Sequence, residues 1–423
     1  MLTILEKGYK TSTNKGLTKK EQVLTLIFVL LICLFIQTII SNFMKIKQLV
    51  ISLVFLSLFS CKNKTNKQFE KDIIGEWIFV KTEDNRIPDS QIKFPLVLPF
   101  RTDANGYVFF QDNNCEKKLG YFNRTQGIEI EGRKTFYLGT KTKYKIENDS
   151  LKVFDLSNKS WDNKKIHSIL DDTLTIQIGD SLVAKYARTK HKIISNESYD
   201  KILVSSSGCF GTCPILDISI DKNGDVLYFG ELYNTQNGLF SSKITKEEYQ
   251  SIETSFKKAD ILNLKNEYKA HWTDDEAITI TFIKDHKIVK SIMDYGRQAP
   301  TELIWAYTPV RFLYQQIKLE PLKTENLILS SREINFETQQ QICNLTQSES
   351  FYLLTEIFKG KEVLQNFDNK YKIEFWNDKN KQDIMLTDGR LFKFPNKTID
   401  IGYNFLIQNN LASKFRNKNE YGR

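Results

Sequence analysis

Between Ile73 and Thr189 the apolar residues alternate with polar ones in short runs, each bounded by turn-forming residues. Alternation with a period of two puts one face of each segment in a core and the other in water, the signature of a half-buried strand. The runs are Gly75–Lys81, Tyr107–Gln111, Thr135–Leu138, Tyr144–Glu147, Leu151–Asp155, Lys165–Leu170, Leu174–Ile178 and Leu182–Ala187. Asn148-Asp149 and Gly179-Asp180 supply turns between them. Many short strands at near-regular spacing predict an antiparallel barrel or sandwich over residues 73–190.

Over residues 199–319 the pattern changes. Ile202 to Ser205 leads into Ser207-Gly208-Cys209-Phe210-Gly211-Thr212-Cys213-Pro214, and a strand follows from Ile215 to Ile220. Asp221-Lys222-Asn223-Gly224 predicts a hairpin turn into Val226–Phe229. Thr245 and Glu248 form a capping box, and Tyr249, Ile252, Phe256 and Ala259 mark one face of an amphipathic helix behind it. A second hairpin, Ala277–Ile283 with Ile288–Asp294, precedes another helical pattern on Leu303, Ile304, Tyr307, Val310 and Tyr314, with a kink expected at Pro309. Glu320 to Gln340 is mostly polar and is expected to be a linker. Residues 341–423 predict a small α+β domain. It has a helix on Phe351, Leu354, Ile357 and Phe358 and strands at Tyr371–Trp376, Asp383–Leu386 and Leu391–Phe394. The expected fold class is β-rich and then α+β.

Two apolar runs open the chain. Val23 to Ile40 is just long enough for a transmembrane helix, whereas Leu49 to Ser60 is too short to cross but suits the apolar region of a signal peptide. Met44, Lys45, Ile46 and Lys47 stand before the second run, and Leu58-Phe59-Ser60-Cys61 closes it. That tetrapeptide resembles a lipobox, the recognition site of the bacterial lipoprotein signal peptidase. The resemblance implies a signal peptide over 44–60, a lipid on Cys61 and a polar tether over 61–72. Five lysines precede the first run and two lie between the runs. By the positive-inside rule two full crossings would return the main body to the cytoplasm, against the lipobox. Translation from Met44, with residues 1–43 an over-extended start, resolves the conflict. The alternative is an extra membrane helix at about Val23 to Phe43.

Further resemblances carry the fold expectation. Ile74-Gly75-Glu76-Trp77 resembles the Gly-x-Trp opening strand of lipocalin-like proteins. Asp172-Thr173-Leu174 and Tyr186-Ala187-Arg188 are similar to the ending of small lipocalin-like domains of bacterial lipoproteins. This implies a lipocalin-like barrel with Trp77 at its floor, either as plain core or against a small apolar ligand. The Cys209-Phe210-Gly211-Thr212-Cys213-Pro214 segment resembles the signature of an uncharacterised domain common in lipoproteins of Bacteroidota. Tyr228-Phe229-Gly230, Tyr268, Thr273-Asp274, Asp294-Tyr295-Gly296 and Ala299-Pro300 agree with it. No established activity comes with that resemblance.

Composition excludes one class. The net charge is +9, but residues 1–60 hold seven lysines and two acids, so only +4 remains over the other 363 residues, interspersed with acids. A nucleic-acid binder concentrates its basic residues on one face or in one run. Cys209 and Cys213 admit three readings: a short disulfide in an oxidising compartment, a redox-active dithiol, or a metal site. The four histidines (His167, His191, His271, His286) show no metal spacing, and no metal or cofactor is expected. His271, Trp272, Asp274 and Asp275 form a polar-aromatic loop that is either a binding surface or a capped turn with a packed Trp. The expected role is a lipid-anchored envelope protein whose domains bind a partner protein, glycan or small apolar ligand. The absence of Asp after Cys61 points to the outer membrane, facing the periplasm. The alternative is an enzyme built on the Cys209/Cys213 and His271/Asp274 region, although no catalytic set is assembled in the sequence.

Overall fold

A computed structural model describes residues 66–84, 104–124, 133–191, 193, 197–322, 334–376 and 382–420, with four single positions at 27, 28, 32 and 35. The signal-peptide segment 44–60 and Cys61 lie outside the described residues, as does most of the run from Val23 to Ile40. Among the described residues no helix is long and apolar enough to cross a membrane. The chain divides between residues 65 and 66, and among the described residues every sheet lies in 66–423.

The first sheet is a closed barrel. Its strands are β1 (Gly75–Asp84), β2 (Gly106–Phe109), β3 (Asn114–Lys117), β6 (Lys141–Glu147), β7 (Ser150–Asp155), β8 (Ser160–Leu170), β9 (Thr173–Gln177) and β10 (Leu182–Arg188). They close in the order β1-β10-β9-β8-β7-β6-β3-β2, with every pairing antiparallel. A separate two-stranded hairpin, β4 (Phe122–Arg124) with β5 (Thr135–Tyr137), is inserted between β3 and β6. On β6 and β7 the residues Tyr144, Ile146, Leu151 and Val153 turn inward while the lysines between them stay at the surface. Asn148 and Asp149 both adopt positive φ, at 51° and 57°, as a two-residue hairpin between right-twisted strands requires.

Trp77 is wholly buried in the barrel core. Its Nε1 donates to the Ile73 carbonyl at 2.6 Å, and the Arg188 guanidinium lies 4.3 Å from the ring centroid. The expected tether is partly wrong: Asn66–Asp72 forms a helix, α1. One apolar residue in that polar run, Phe69, is buried in the barrel core, and the Asp72 carbonyl accepts from Arg188.

The second sheet has eight strands: β11 (Lys201–Ser206), β12 (Ile215–Asp221), β13 (Asp225–Leu232), β14 (Gly238–Lys243), β15 (Glu267–Lys269), β16 (Ala277–Lys284), β17 (Lys287–Tyr295) and β18 (Glu320–Pro321). Their order is β15-β17-β16-β11-β12-β13-β14-β18. Helices α2 (Lys246–Lys258) and α3 (Thr301–Arg311) cover one face, burying Phe256, Leu303 and Tyr307 against Ile202, Ile218 and Ile280. The capping box of Thr245 and Glu248 starts α2, with both reciprocal hydrogen bonds present.

The opposite face is covered by α4 (Gln347–Lys359), and on its far side stands a third sheet of β19 (Asn335–Glu337), β20 (Gln341–Asn344), β21 (Lys361–Val363), β22 (Tyr371–Trp376), β23 (Gln382–Thr387), β24 (Leu391–Lys393), β25 (Thr398–Asp400) and β26 (Arg416–Asn417). A short helix, α5 (Phe405–Gln408), completes the set. Two pieces of the expected linker are therefore structured: Glu320–Pro321 pairs with β14, and Asn335–Glu337 pairs with β20. The seam between the second sheet and α4 is polar. Ser348 Oγ lies 2.7 Å from Thr281 Oγ1, the Ser348 amide donates to Thr279 Oγ1, and Gln347 Nε2 donates to Asp217 Oδ1.

The barrel docks on the second sheet through α3 and one carboxylate. Trp305 Nε1 donates to the Ala104 carbonyl at 2.6 Å, and a Cβ at Gly106 would come within 2.2 Å of the Trp305 ring, so this approach requires glycine. Glu76 meets Lys258 at 2.7 Å, Lys118 at 3.1 Å and His191 at 3.1 Å. Burial alone would raise its pKa, but the surrounding cations outweigh it and hold the group at about 2 against an ordinary 4.5. A carboxyl with a depressed folded pKa contributes stability above pH 4.5 that is lost as pH falls toward 2. The contribution is of order 2–3 kcal/mol. In urea unfolding, the deficit of Glu76→Gln relative to the wild type should be full at about pH 6 and shrink steadily below about pH 4.5. A deficit that stays constant across this range would remove Glu76 as its source.

Candidate functional site

The loop between β11 and β12 is fixed from within and from below. Cys209 and Cys213 are disulfide-bonded, with their Cα atoms 5.6 Å apart. Ser207 Oγ accepts the Ala277 amide at 2.9 Å, and the Phe210 amide donates to the Asp274 carbonyl at 3.2 Å. The disulfide loop thus rests on the 271–275 loop, and Phe210 at its apex is 90 % exposed. A free Phe side chain held in water by a covalent clamp is unusual, because its burial would be worth about 1.5–3 kcal/mol.

Of the residues singled out by sequence, Cys209, Cys213 and Asp274 come together here. Asp274 takes part through its backbone: it is exposed and sits at φ 72°. Trp272 Nε1 donates to Asp275 Oδ2 at 3.1 Å, and its ring packs beside Gly296 and edge-on to exposed His271. Trp77 is elsewhere, inside the barrel.

Sequence reasoning missed the charged centre behind the loop. Arg311, at the end of α3, donates through Nη1 to Glu276 Oε1 at 2.7 Å and through Nη2 to Oε2. Both side chains are buried, at 5 % and 4 % exposure. Arg297 Nη2 adds a bond of 3.2 Å to the same carboxylate while half of its side chain stays exposed. Burial by itself would push the Glu276 carboxyl up, but Arg311 and Arg297 hold it below the usual range. The Arg311 Nε, also buried, has no acceptor among the described residues.

Arg297 is presented by a left-handed turn, Gly296 at φ 69° and Arg297 at 56°. Asp294, wholly buried, stabilises that turn by accepting from the amides of Gln298 at 2.6 Å and Ala299 at 2.9 Å. It also accepts from the Tyr307 hydroxyl at 2.9 Å, and desolvation with the nearby Asp294 charge keeps that phenol protonated. Positive φ at a residue with a long side chain costs energy and persists only where its surroundings impose it.

These groups line a cleft of about 640 Å³. One wall is the disulfide loop with Arg297, Tyr307 and Arg311; the other is Lys117 of the barrel with Phe122 and Thr135 of the β4–β5 hairpin. Its floor is pinned by Phe312, whose ring stacks at 5.3 Å on Tyr137 of β5. Gln315 fastens the same hairpin, accepting from the Tyr137 amide and donating to the Thr135 carbonyl. A second, shallower depression of about 560 Å³ lies against Phe210, Asp274 and Gln347. Phe210 borders both.

One signal in the sequence pointed to the centre. Arg311 continues the buried stripe of Ile304 and Tyr307 at spacings of three and four, where a charged residue needs a partner. No curated protein matches the chain. The family described as a domain of unknown function, DUF6438, matches residues 200–314, which take in the second sheet from β11 to β17, the disulfide loop and the Glu276–Arg311 pair. That stretch, about a quarter of the chain, is a DUF6438 domain.

Proposed function

We propose that the chain is an envelope lipoprotein, anchored through acyl chains on Cys61, and that its globular unit is a binding module. Its contact surface is the cleft beside the disulfide loop. The observation that carries the reading is Phe210, held 90 % exposed at the cleft mouth by the Cys209–Cys213 bond. A short disulfide on a surface loop is chemistry of an oxidising compartment, which accords with export. Leu58-Phe59-Ser60-Cys61 supports the anchor, and two or more acyl chains would make it stable where one is marginal. Lys62, in place of the inner-membrane Asp, supports the outer membrane and its periplasmic face. Glu276, the acid lining the cleft, is committed to ion pairs with Arg311 and Arg297, which supports binding over acid-base chemistry.

Two measurements test this. Labelling cells with an alkyne fatty acid should mark the wild type and not Cys61→Ala, which should leave the membrane fraction. An unlabelled wild type would remove the anchor. A photo-crosslinking residue at position 210 should trap a discrete envelope partner or glycan, and no specific adduct there would remove the binding surface. The competing enzyme reading predicts that Asp274→Ala with His271→Ala abolishes the phenotype of the gene; an intact phenotype would dispose of it.

A further inference from the structure

Resting on the cleft reading, we propose that the cleft binds an acidic saccharide: its carboxylate sits against Arg297, with Arg311 behind it holding Glu276, and a sugar ring lies on Phe210. Charge is the first support. Lys117, Arg297 and Arg311 line the cleft, and among the described residues lining it Glu276 is the one acid. That carboxylate is already saturated by two guanidinium groups, so positive charge remains in excess where a ligand would enter.

Arrangement is the second support. Arg297 spends one nitrogen on Glu276 and keeps half its side chain open, leaving part of its planar fork for a bidentate carboxylate. Its left-handed backbone is held by Asp294 and its guanidinium is tied to Glu276 at one nitrogen, which reduces the freedom lost on binding.

The rest of the lining selects for a hydroxylated ligand. Asn105, Thr135, Thr212 and Thr308 bring polar groups to the walls, and Phe210 offers an exposed flat face at the rim. Carbohydrates match this mixture: hydroxyls for the walls and an apolar C–H face for the ring. A volume of about 640 Å³ suits a short oligosaccharide end rather than a folded partner.

The test uses the detergent-solubilised full-length chain, with trigalacturonate, its fully methyl-esterified form and inorganic sulfate as probes in equilibrium dialysis. The acid should bind at least about tenfold more tightly than the ester, the worth of a charge-assisted hydrogen bond. Arg297→Ala should lose a similar factor, and Arg297→Lys should recover part of it by restoring charge without the fork. Phe210→Ala should weaken acid and ester alike, and sulfate should compete with the acid. Thermal melts matching the wild type will show that these exposed-site variants are folded. Equal binding of acid and ester, or an Arg297→Ala variant that binds as the wild type does, would overturn the assignment and leave the cleft reading standing. Binding of sulfate alone would overturn the saccharide. If neither sugar binds while crosslinks still form at position 210, the saccharide assignment falls by itself; if those crosslinks are missing too, the binding-module reading falls with it.

Discussion

Arg311→Leu is expected to destabilise the chain by about 3–5 kcal/mol, because it strands the Glu276 carboxylate away from water with only half-exposed Arg297 as counter-charge. Glu276→Gln should also cost several kcal/mol, about 3–5, since one amide oxygen replaces two acceptors and buried Arg311 loses its counter-charge. The double variant Arg311→Leu/Glu276→Leu should recover most of the loss, as removing both charges removes the desolvation that either alone imposes. By contrast, Lys243 and Asp225 form a pair that is mostly in water, and its removal should change stability by less than about 1 kcal/mol. Urea unfolding of the detergent-solubilised full chain measures all four. A loss below about 1 kcal/mol in Arg311→Leu would mean that water reaches Glu276 and that the centre is no buried pair.

How much of the fold is legible in the sequence depends on what alternation can encode. On β6 and β7 one face is wet and the other dry, so Tyr144, Ile146, Leu151 and Val153 announce their strands. β3 does not, because in Asn114–Lys117 only Cys115 turns into the core. The α1 helix is hidden for the same reason: Phe69 is its single buried residue. In the second sheet, alternation distinguishes the two faces but cannot say that both are covered. Ser205, Ser219, Thr279 and Thr281 look like a solvent face, yet each is at most 4 % exposed. What hides them is α4, which arrives about 70 residues after β16 with Ser348 to satisfy the two threonine hydroxyls. The start of α4 carries a capping box, Thr346 with Glu349, of the same pattern as the one at Thr245.

The site divides along the same line. Cys209 and Cys213 are four residues apart and announce their loop, whereas Glu276 and Arg311 are 35 apart and become a pair only through the tertiary fold. Glu76 shows a third case. The Gly75-Glu76-Trp77 motif draws attention to its glycine and tryptophan, while the residue between them makes the ion pair with Lys258 that holds the barrel to α2.

Trp77→Ala should remove about 3–5 kcal/mol, the usual cost of deleting a buried aromatic from a packed core. Two further losses act in the same direction: the bond to the Ile73 carbonyl, and the guanidinium of Arg188 above the ring. Trp77→Phe keeps most of the volume and should cost about 1–2 kcal/mol, chiefly the orphaned carbonyl. The two free cysteines among the described residues make the effect local and readable. Cys115 is wholly buried in the barrel, where burial pushes its thiol up to about 12, and Cys343 is equally buried in the third sheet at about 11. Neither reacts while its surroundings hold, because the thiolate is the nucleophile. In native buffer, Trp77→Ala should therefore admit an alkylating agent to Cys115 far faster than the wild type does, while Cys343 keeps its wild-type rate, as peptide mass mapping would show. Acceleration at both positions would mean that the barrel and the third sheet open together. Protection at both, with little loss of stability, would mean that the indole is not a core element, and would return Trp77 to the role of a ligand-contacting floor.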